Sequence, residues 1–236
     1  MKKLSLLLLF TLVGCASVKA PADFSYREIQ TPFFTLAAWV KESSPNATFR
    51  VYIEGDGHAF TSTGKPSSNP TPTADTMRKL AFSDPAINVA YIARPCQFVK
   101  DSTCTQQDWT IGRFSPQAVT SVATAIKQIT GKRDVIIYAY SGGALISGLV
   151  INNFPEIPVR KWITYAGLLN HTSWTEYKNL PPLTISLDLN ELPAVPQVHY
   201  VGEKDKIIPL ELSKKWTQGH KLVILPKVGH NGPFRD

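Results

Sequence analysis

From residue 33 onward, polar and apolar positions alternate in short blocks. Apolar runs over 33–41, 48–53, 87–93, 134–140, 162–166, 197–201 and 222–225 are bounded by Gly, Pro, Asn, Asp or Ser clusters, which predicts strands. Residues 116–130 carry Val119, Val122, Ala125, Ile126 and Ile129 at helical spacing and stop at Gly131, a helix with its own stop signal. Residues 76–82, 144–153 and 210–217 are further helix candidates. The first two strands flank Glu42-Ser43-Ser44-Pro45-Asn46-Ala47 and are expected to form a hairpin. Residues 62–73 read as an exposed loop and 170–193 as an irregular, proline-rich segment. Strands alternating with helices imply an α/β fold: a mainly parallel sheet with helices on both faces. In such sheets functional residues gather at the carboxyl ends of the strands.

One of these ends stands out. The run Asp134-Val135-Ile136-Ile137-Tyr138-Ala139-Tyr140 terminates in Ser141-Gly142-Gly143-Ala144, and a helical pattern begins at once. A strand, a tight turn with a hydroxyl at its apex and a helix form the context of a nucleophile elbow, which needs small residues two before and two after the serine. Ala139 and Gly143 hold those places; alanine departs from the usual glycine by one methyl. A serine hydroxyl needs a base within hydrogen-bond reach, and the base needs a carboxylate to fix its tautomer. Asp205 and His230 follow Ser141 in chain order, each placed just after a predicted strand.

With these residues in hand, the chain resembles an α/β-hydrolase over roughly 33–230. The resemblance rests on the elbow, on Val201-Gly202-Glu203-Lys204-Asp205-Lys206-Ile207-Ile208-Pro209 as an acid loop, and on Val228-Gly229-His230 as a histidine loop. It implies the α/β-hydrolase fold with a small lid or none, and Ser141, Asp205 and His230 as the catalytic set. It also implies an oxyanion hole built from the backbone N–H groups of Gly142 and Asp56, with Gly57 the rival of Asp56. Many relatives carry His-Gly where this chain has Glu54-Gly55, so the Glu54 carboxylate must be tied up or turned away. Asp188 competes with Asp205 but lacks the Ile-Ile-Pro that follows it. His58, His171, His199 and His220 lie in less suitable contexts for a base. Arg94 is read as pairing with Glu54 or Asp56 to fix the loops; binding a substrate carboxylate or phosphate is its other reading. Trp109 and Arg113 lie in the same stretch, beside the expected pocket mouth.

The N-terminus changes the setting. Lys2 and Lys3 precede a short apolar run that reads as a secretory signal, too short for a spanning helix. It ends in Leu12-Val13-Gly14-Cys15, which resembles the bacterial lipobox; that resemblance implies a signal peptide over 1–14 and lipidation of Cys15. Ala16, in place of an aspartate, favours an outer-membrane anchor facing the periplasm. Residues 15–30 are then a lipidated N-terminus and tether, and 31–236 the hydrolase domain. Of the three cysteines, Cys96 and Cys104 remain, an even pair in an oxidising compartment. A loop-closing disulfide is expected, with two free thiols as the alternative.

Composition adds bounds. At 236 residues, 43% apolar and 18% charged, the chain supports one sizeable core. The net charge of +7 includes Lys2 and Lys3, and no basic run points to nucleic acid. The expected partners are a small acyl substrate and, through Cys15, a membrane. No cofactor or metal is expected. The expected function is a serine hydrolase cleaving an ester or thioester at the cell envelope. The alternatives are a catalytically silent binding lipoprotein and a metal-dependent phosphoesterase suggested by Glu54, Asp56 and His58.

Overall fold

The computed structural model describes residues 19–99 and 102–234. The expected signal peptide over 1–14 and the expected lipidation site Cys15 lie outside the described residues. Eight strands form one sheet: β1 (Ser25–Gln30), β2 (Thr35–Glu42), β3 (Phe49–Ile53), β4 (Asn88–Ile92), β5 (Val135–Tyr140), β6 (Val159–Tyr165), β7 (Gln197–Gly202) and β8 (Lys221–Leu225). Their order is β1-β2-β4-β3-β5-β6-β7-β8. β1 and β2 run antiparallel to their neighbours, and all pairings from β4 through β3 to β8 are parallel.

The expected hairpin does not form. β3 lies between β4 and β5, while β2 pairs with β1 and β4. Val51 and Ile53 on one face of β3 and Tyr52 on the other are all buried, a demand only an interior strand meets. Asn88 shapes the crossover: its Oδ1 accepts from the Ser43 and Ser44 N–H groups, and its amide donates to the Ser44 and Ala47 carbonyls. The expected tether over 15–30 also ends in structure, because Ser25–Gln30 adds an antiparallel edge to β2. Only Ile29 of that strand is fully buried, which is why its sequence carries so weak a strand pattern.

Helices cover both faces. α1 (Thr76–Phe82) places Met77 and Ala81 on the face of Tyr52, Tyr91 and Tyr138. After the short α2 (Gln106–Trp109), α3 (Pro116–Thr130) and α4 (Gly142–Asn153) cover the opposite face, against Val51, Ile53 and Ile137. α3 begins where Ser115 Oγ accepts from the Ala118 N–H with Pro116 in the first turn, and ends at Gly131 with φ +60. α5 (His171–Tyr177) interrupts the segment expected to be irregular, and α6 (Leu210–Trp216) precedes β8. Asn170 caps α5 by accepting from the Ser173 N–H, and Asp188 supplements it: its two oxygens accept from the His171 and Thr172 N–H groups, each at 2.9 Å. Leu183 and Leu189 anchor the rest of that segment in the core, so it forms a wall and not a detached lid.

Candidate active site

The carboxyl ends of β3, β5, β7 and β8 open on one cleft of about 420 Å³. Ser141 sits at its base with φ +50 and ψ −125, a region costly for a residue bearing a β-carbon. Its surroundings over-determine that conformation. The Ser141 N–H donates to Tyr165 O at 3.0 Å, and its carbonyl accepts from Ala144 and Leu168. A β-carbon on Gly143 would come 2.5 Å from Glu54 O, so α4 can pack this closely on β3 only through glycine. Ala139, fully buried between Ile53 and Thr164, fills the place where glycine is usual.

The structure brings Ser141, His230 and Asp205 together from positions far apart in the chain. Ser141 Oγ is 3.1 Å from His230 Nε2, and His230 Nδ1 is 2.9 Å from Asp205 Oδ2. Asp205 Oδ1 accepts from the Ile207 and Ile208 N–H groups at 2.8 and 2.9 Å, and its side chain has no exposed surface. An acceptor so surrounded by donors fixes the proton of the imidazole on Nδ1 and leaves the Nε2 lone pair facing the serine. The histidine loop is held from below. Tyr140 Oη donates to Asn231 Oδ1 at 2.8 Å, and its ring lies 5.2 Å from the His230 ring.

The loop after β3 is as tightly held. Glu54 is buried and turned away from the serine: Oε1 accepts from the Gly55 N–H and Oε2 from Tyr91 Oη, at 2.9 and 2.7 Å. Burial, the leading cause, raises the pKa of this carboxyl; the Tyr91 and Gly55 hydrogen bonds act in the other direction. Asp56 turns its carboxylate to two arginines, Arg94 Nη1 at 3.2 Å and Arg113 Nε at 3.3 Å. The carboxylate also lies against Gly142, where a β-carbon would overlap it. Gly142 is the first residue of α4, so its N–H has no intrahelical acceptor, and it is the Asp56 side chain that packs against it, next to Ser141 in the chain. Gly57 adopts φ +64, where a β-carbon would collide with Pro70 O and come 2.7 Å from Gln97 Nε2.

Arg94 pairs with Asp56 and also donates from Nη2 to Arg113 O. Gln97, which sequence reasoning missed, joins the loops: its Nε2 donates to Gly55 O at 2.9 Å and its Oε1 accepts from the Arg94 N–H at 3.0 Å. Cys96 and Cys104 form a disulfide with Cα atoms 5.8 Å apart, closing the segment that carries Gln97. Proximity to Cys96 was the sole local signal for Gln97; Tyr140 and Asn231 had none beyond adjacency to Ser141 and His230. His58 is exposed and outside the cleft lining, while Glu54 and Asp56 face different partners. His171 and His199 are buried away from Ser141, and His220 is exposed at the foot of β8. Trp109 is buried behind Arg113, in a small cavity they share with Asp56 and Arg94.

The sequence matches no protein-family model and no curated protein. Solved structures are nevertheless similar along most of the chain. Est1E from Butyrivibrio proteoclasticus aligns with a TM-score of 0.62 at 12% identity, covering 90% of this chain and 92% of that one. A serine hydrolase, CCSP0084 from Cycloclasticus zankles, also gives 0.62 at 12% identity, with 88% and 92% covered. XC6422 from Xanthomonas campestris, described as an α/β serine hydrolase without a lid, gives 0.53 at 15% identity, with 91% and 89% covered. With the strand order and the helices on both faces, this likeness establishes that the chain has the α/β-hydrolase fold.

Proposed function

We propose that this chain is a serine hydrolase that cleaves an ester or thioester through an acyl-enzyme. The observation that carries the reading is the unbroken run of contacts from Ser141 Oγ through His230 to Asp205. His230 Nε2 takes the proton from Ser141 as Oγ attacks the carbonyl carbon. The oxyanion then meets the N–H groups of Gly142 and Asp56, which are fixed before the charge develops. As the tetrahedral intermediate collapses, His230 returns the proton to the departing alcohol or thiol. In the second half, His230 activates water, which attacks the acyl group on Ser141 and releases the acid. Asp205 stays ionised throughout and stabilises the imidazolium.

The cleft volume suits a small acyl substrate. The names of the similar structures, among them Est1E with bound ferulic acid, are consistent with esterase chemistry. Incubation of the detergent-solubilised full chain with a fluorophosphonate probe tests the reading. Labelling is expected at Ser141 and lost in Ser141→Ala; labelling that persists in the variant, or none in the wild type at neutral pH, sinks it.

We further propose that the enzyme is anchored through a lipidated Cys15 to the outer membrane, facing the periplasm. The lipobox-like Leu12-Val13-Gly14-Cys15 supports this, and the Cys96–Cys104 disulfide suits an oxidising compartment. Incorporation of labelled palmitate in the producing cell, abolished by Cys15→Ser, is the expected outcome.

A further inference from the structure

Among the described residues, Arg113 is the one arginine or lysine that lines the cleft. Its side chain is only 6% exposed, yet its charge is only partly met. Its Nε lies 3.3 Å from Asp56 Oδ2 without hydrogen-bond alignment, and it donates no side-chain hydrogen bond among the described residues. Asp56 is already shared with Arg94, whose two terminal nitrogens are spent on Asp56 and on the Arg113 carbonyl. Glu54 gives its oxygens to Gly55 and Tyr91. Asp56 is therefore the one carboxylate in ion-pair range of both buried guanidinium groups, Glu54 acting on Arg94 only at longer range, and the incompletely paired Arg113 lies at the cleft wall. Such a charge costs stability unless a counter-anion reaches it.

The surroundings orient what is left of the fork. The guanidinium carbon lies 5.7 Å from the Phe60 ring, 5.7 Å from Phe114 and 5.8 Å from Trp174. Rings packed about the guanidinium leave its in-plane N–H edge as the part suited to a carboxylate. Phe60 and Trp174 also line the cleft, as does Arg113 itself. The position relative to the chemistry is defined through Asp56, whose carboxylate touches both Arg113 and Gly142.

We propose that Arg113 binds a carboxylate on the acyl part of the substrate, a few bonds from the scissile carbonyl; this rests on the serine-hydrolase reading above. The sheet order assigns the side. His230 must protonate the leaving group, and it follows β8 on one flank of β5; Arg113 is held at Asp56, which follows β3 on the other flank, with Trp174 of α5 packed across it. The leaving group departs toward the histidine, so the acyl chain extends toward Arg113. The substrate class is the half-ester or half-thioester of a short dicarboxylic acid.

The test compares mono-4-nitrophenyl glutarate with 4-nitrophenyl butyrate on the full chain. The expected ratio of kcat/KM in favour of the glutarate is about 10- to 100-fold, the range of a charge-assisted hydrogen-bonded pair. In Arg113→Gln the ratio falls to one or below, and in Arg113→Lys it is intermediate; a ratio cancels any loss common to both esters. Inhibition of butyrate-ester hydrolysis by glutarate but not by glutaramide in the wild type needs no variant, and decides the matter if Arg113→Gln does not fold. A wild-type ratio of one or less, a ratio unchanged in Arg113→Gln, or equal inhibition by the two additives overturns the inference and leaves the hydrolase reading standing. Fluorophosphonate labelling without turnover of either ester does the same. Neither labelling nor turnover overturns both.

Discussion

The Asp56 carboxylate rests against the α-carbon of Gly142, filling the space a side chain at 142 would need. The loop after β3 and the first turn of α4 are thereby interlocked beside Ser141. Gly142→Ala forces them apart, and with them the two N–H groups assigned to the oxyanion. The expected loss is about 100-fold or more in kcat, the usual consequence of disabling one oxyanion donor. Hydrolysis of a 4-nitrophenyl ester, with circular dichroism to confirm folding, measures it; wild-type kcat in a folded variant would show that the interlock is irrelevant to catalysis.

Asp205→Asn retains the oxygen that accepts from Ile207 and Ile208 but turns an amide N–H₂ toward His230 Nδ1. The imidazole then carries its proton on Nε2, against Ser141, and is no longer a base. A fall of about 10⁴-fold in kcat with the melting temperature nearly kept is expected, as for the equivalent change in a Ser-His-Asp triad. Steady-state kinetics and a thermal melt on one preparation decide it.

Removing the disulfide acts on stability and on the site at once. Cys96 and Cys104 are 8 residues apart, and opening that loop is expected to cost about 2–3 kcal/mol by chain entropy. Gln97 follows Cys96 and holds Gly55 O, so the double variant Cys96→Ala/Cys104→Ala should lower kcat more than it raises KM. Urea unfolding and ester kinetics read the two effects separately.

Glu54 is a buried carboxyl whose pKa is raised above its unfolded value, so the native state binds more protons than the unfolded state above that value. Its contribution to stability is present at acid pH and is lost as pH rises from about 4.5 through the folded pKa. Glu54→Gln keeps an acceptor for the Gly55 N–H and removes the titration. Relative to wild type, its urea midpoint should rise between pH 5 and pH 8; parallel curves would refute the assignment.

His199 titrates in the opposite sense. It lies buried in β7 between Thr164 Oγ1 and Gln197 Oε1, at 2.8 and 2.9 Å. Burial first, then the charge of His220, pulls its pKa from 6.5 down to about 4. Between those values the unfolded chain takes up a proton that the native chain refuses. Stability is therefore lost as pH falls from 6.5 to 4, by about 3 kcal/mol over the window. His199→Asn should lose about that much less between pH 7 and pH 4, measured by urea unfolding at both.

Short-range patterns carried much of this molecule. The elbow run Val135–Tyr140 followed by Ser141 and α4, the Val119–Ile129 face of α3, and the ends of β7 and β8 with Asp205 and His230 are all readable from a few neighbouring residues. α5 was hidden because its seven residues bury only His171 and Thr175, and because, beyond its local Asn170 cap, its first turn is held by Asp188, 17 positions from His171.

Periodicity and turn residues act locally, so the kinds and order of most elements, β1 and α5 excepted, and the chemistry at the strand ends can be read along the chain. Which strands become neighbours is settled by packing across the sheet, which places β3 between β4 and β5 in place of a hairpin. That order brings Ser141 and His230 together across 89 positions, Arg94 onto Asp56 across 38, and Gln97 onto Gly55 across 42. Side-chain bonds of that span follow from burial on both faces of a parallel sheet, which no window of the sequence contains. The same burial turned Glu54 toward Tyr91 and left the charge of Arg113 facing the cleft.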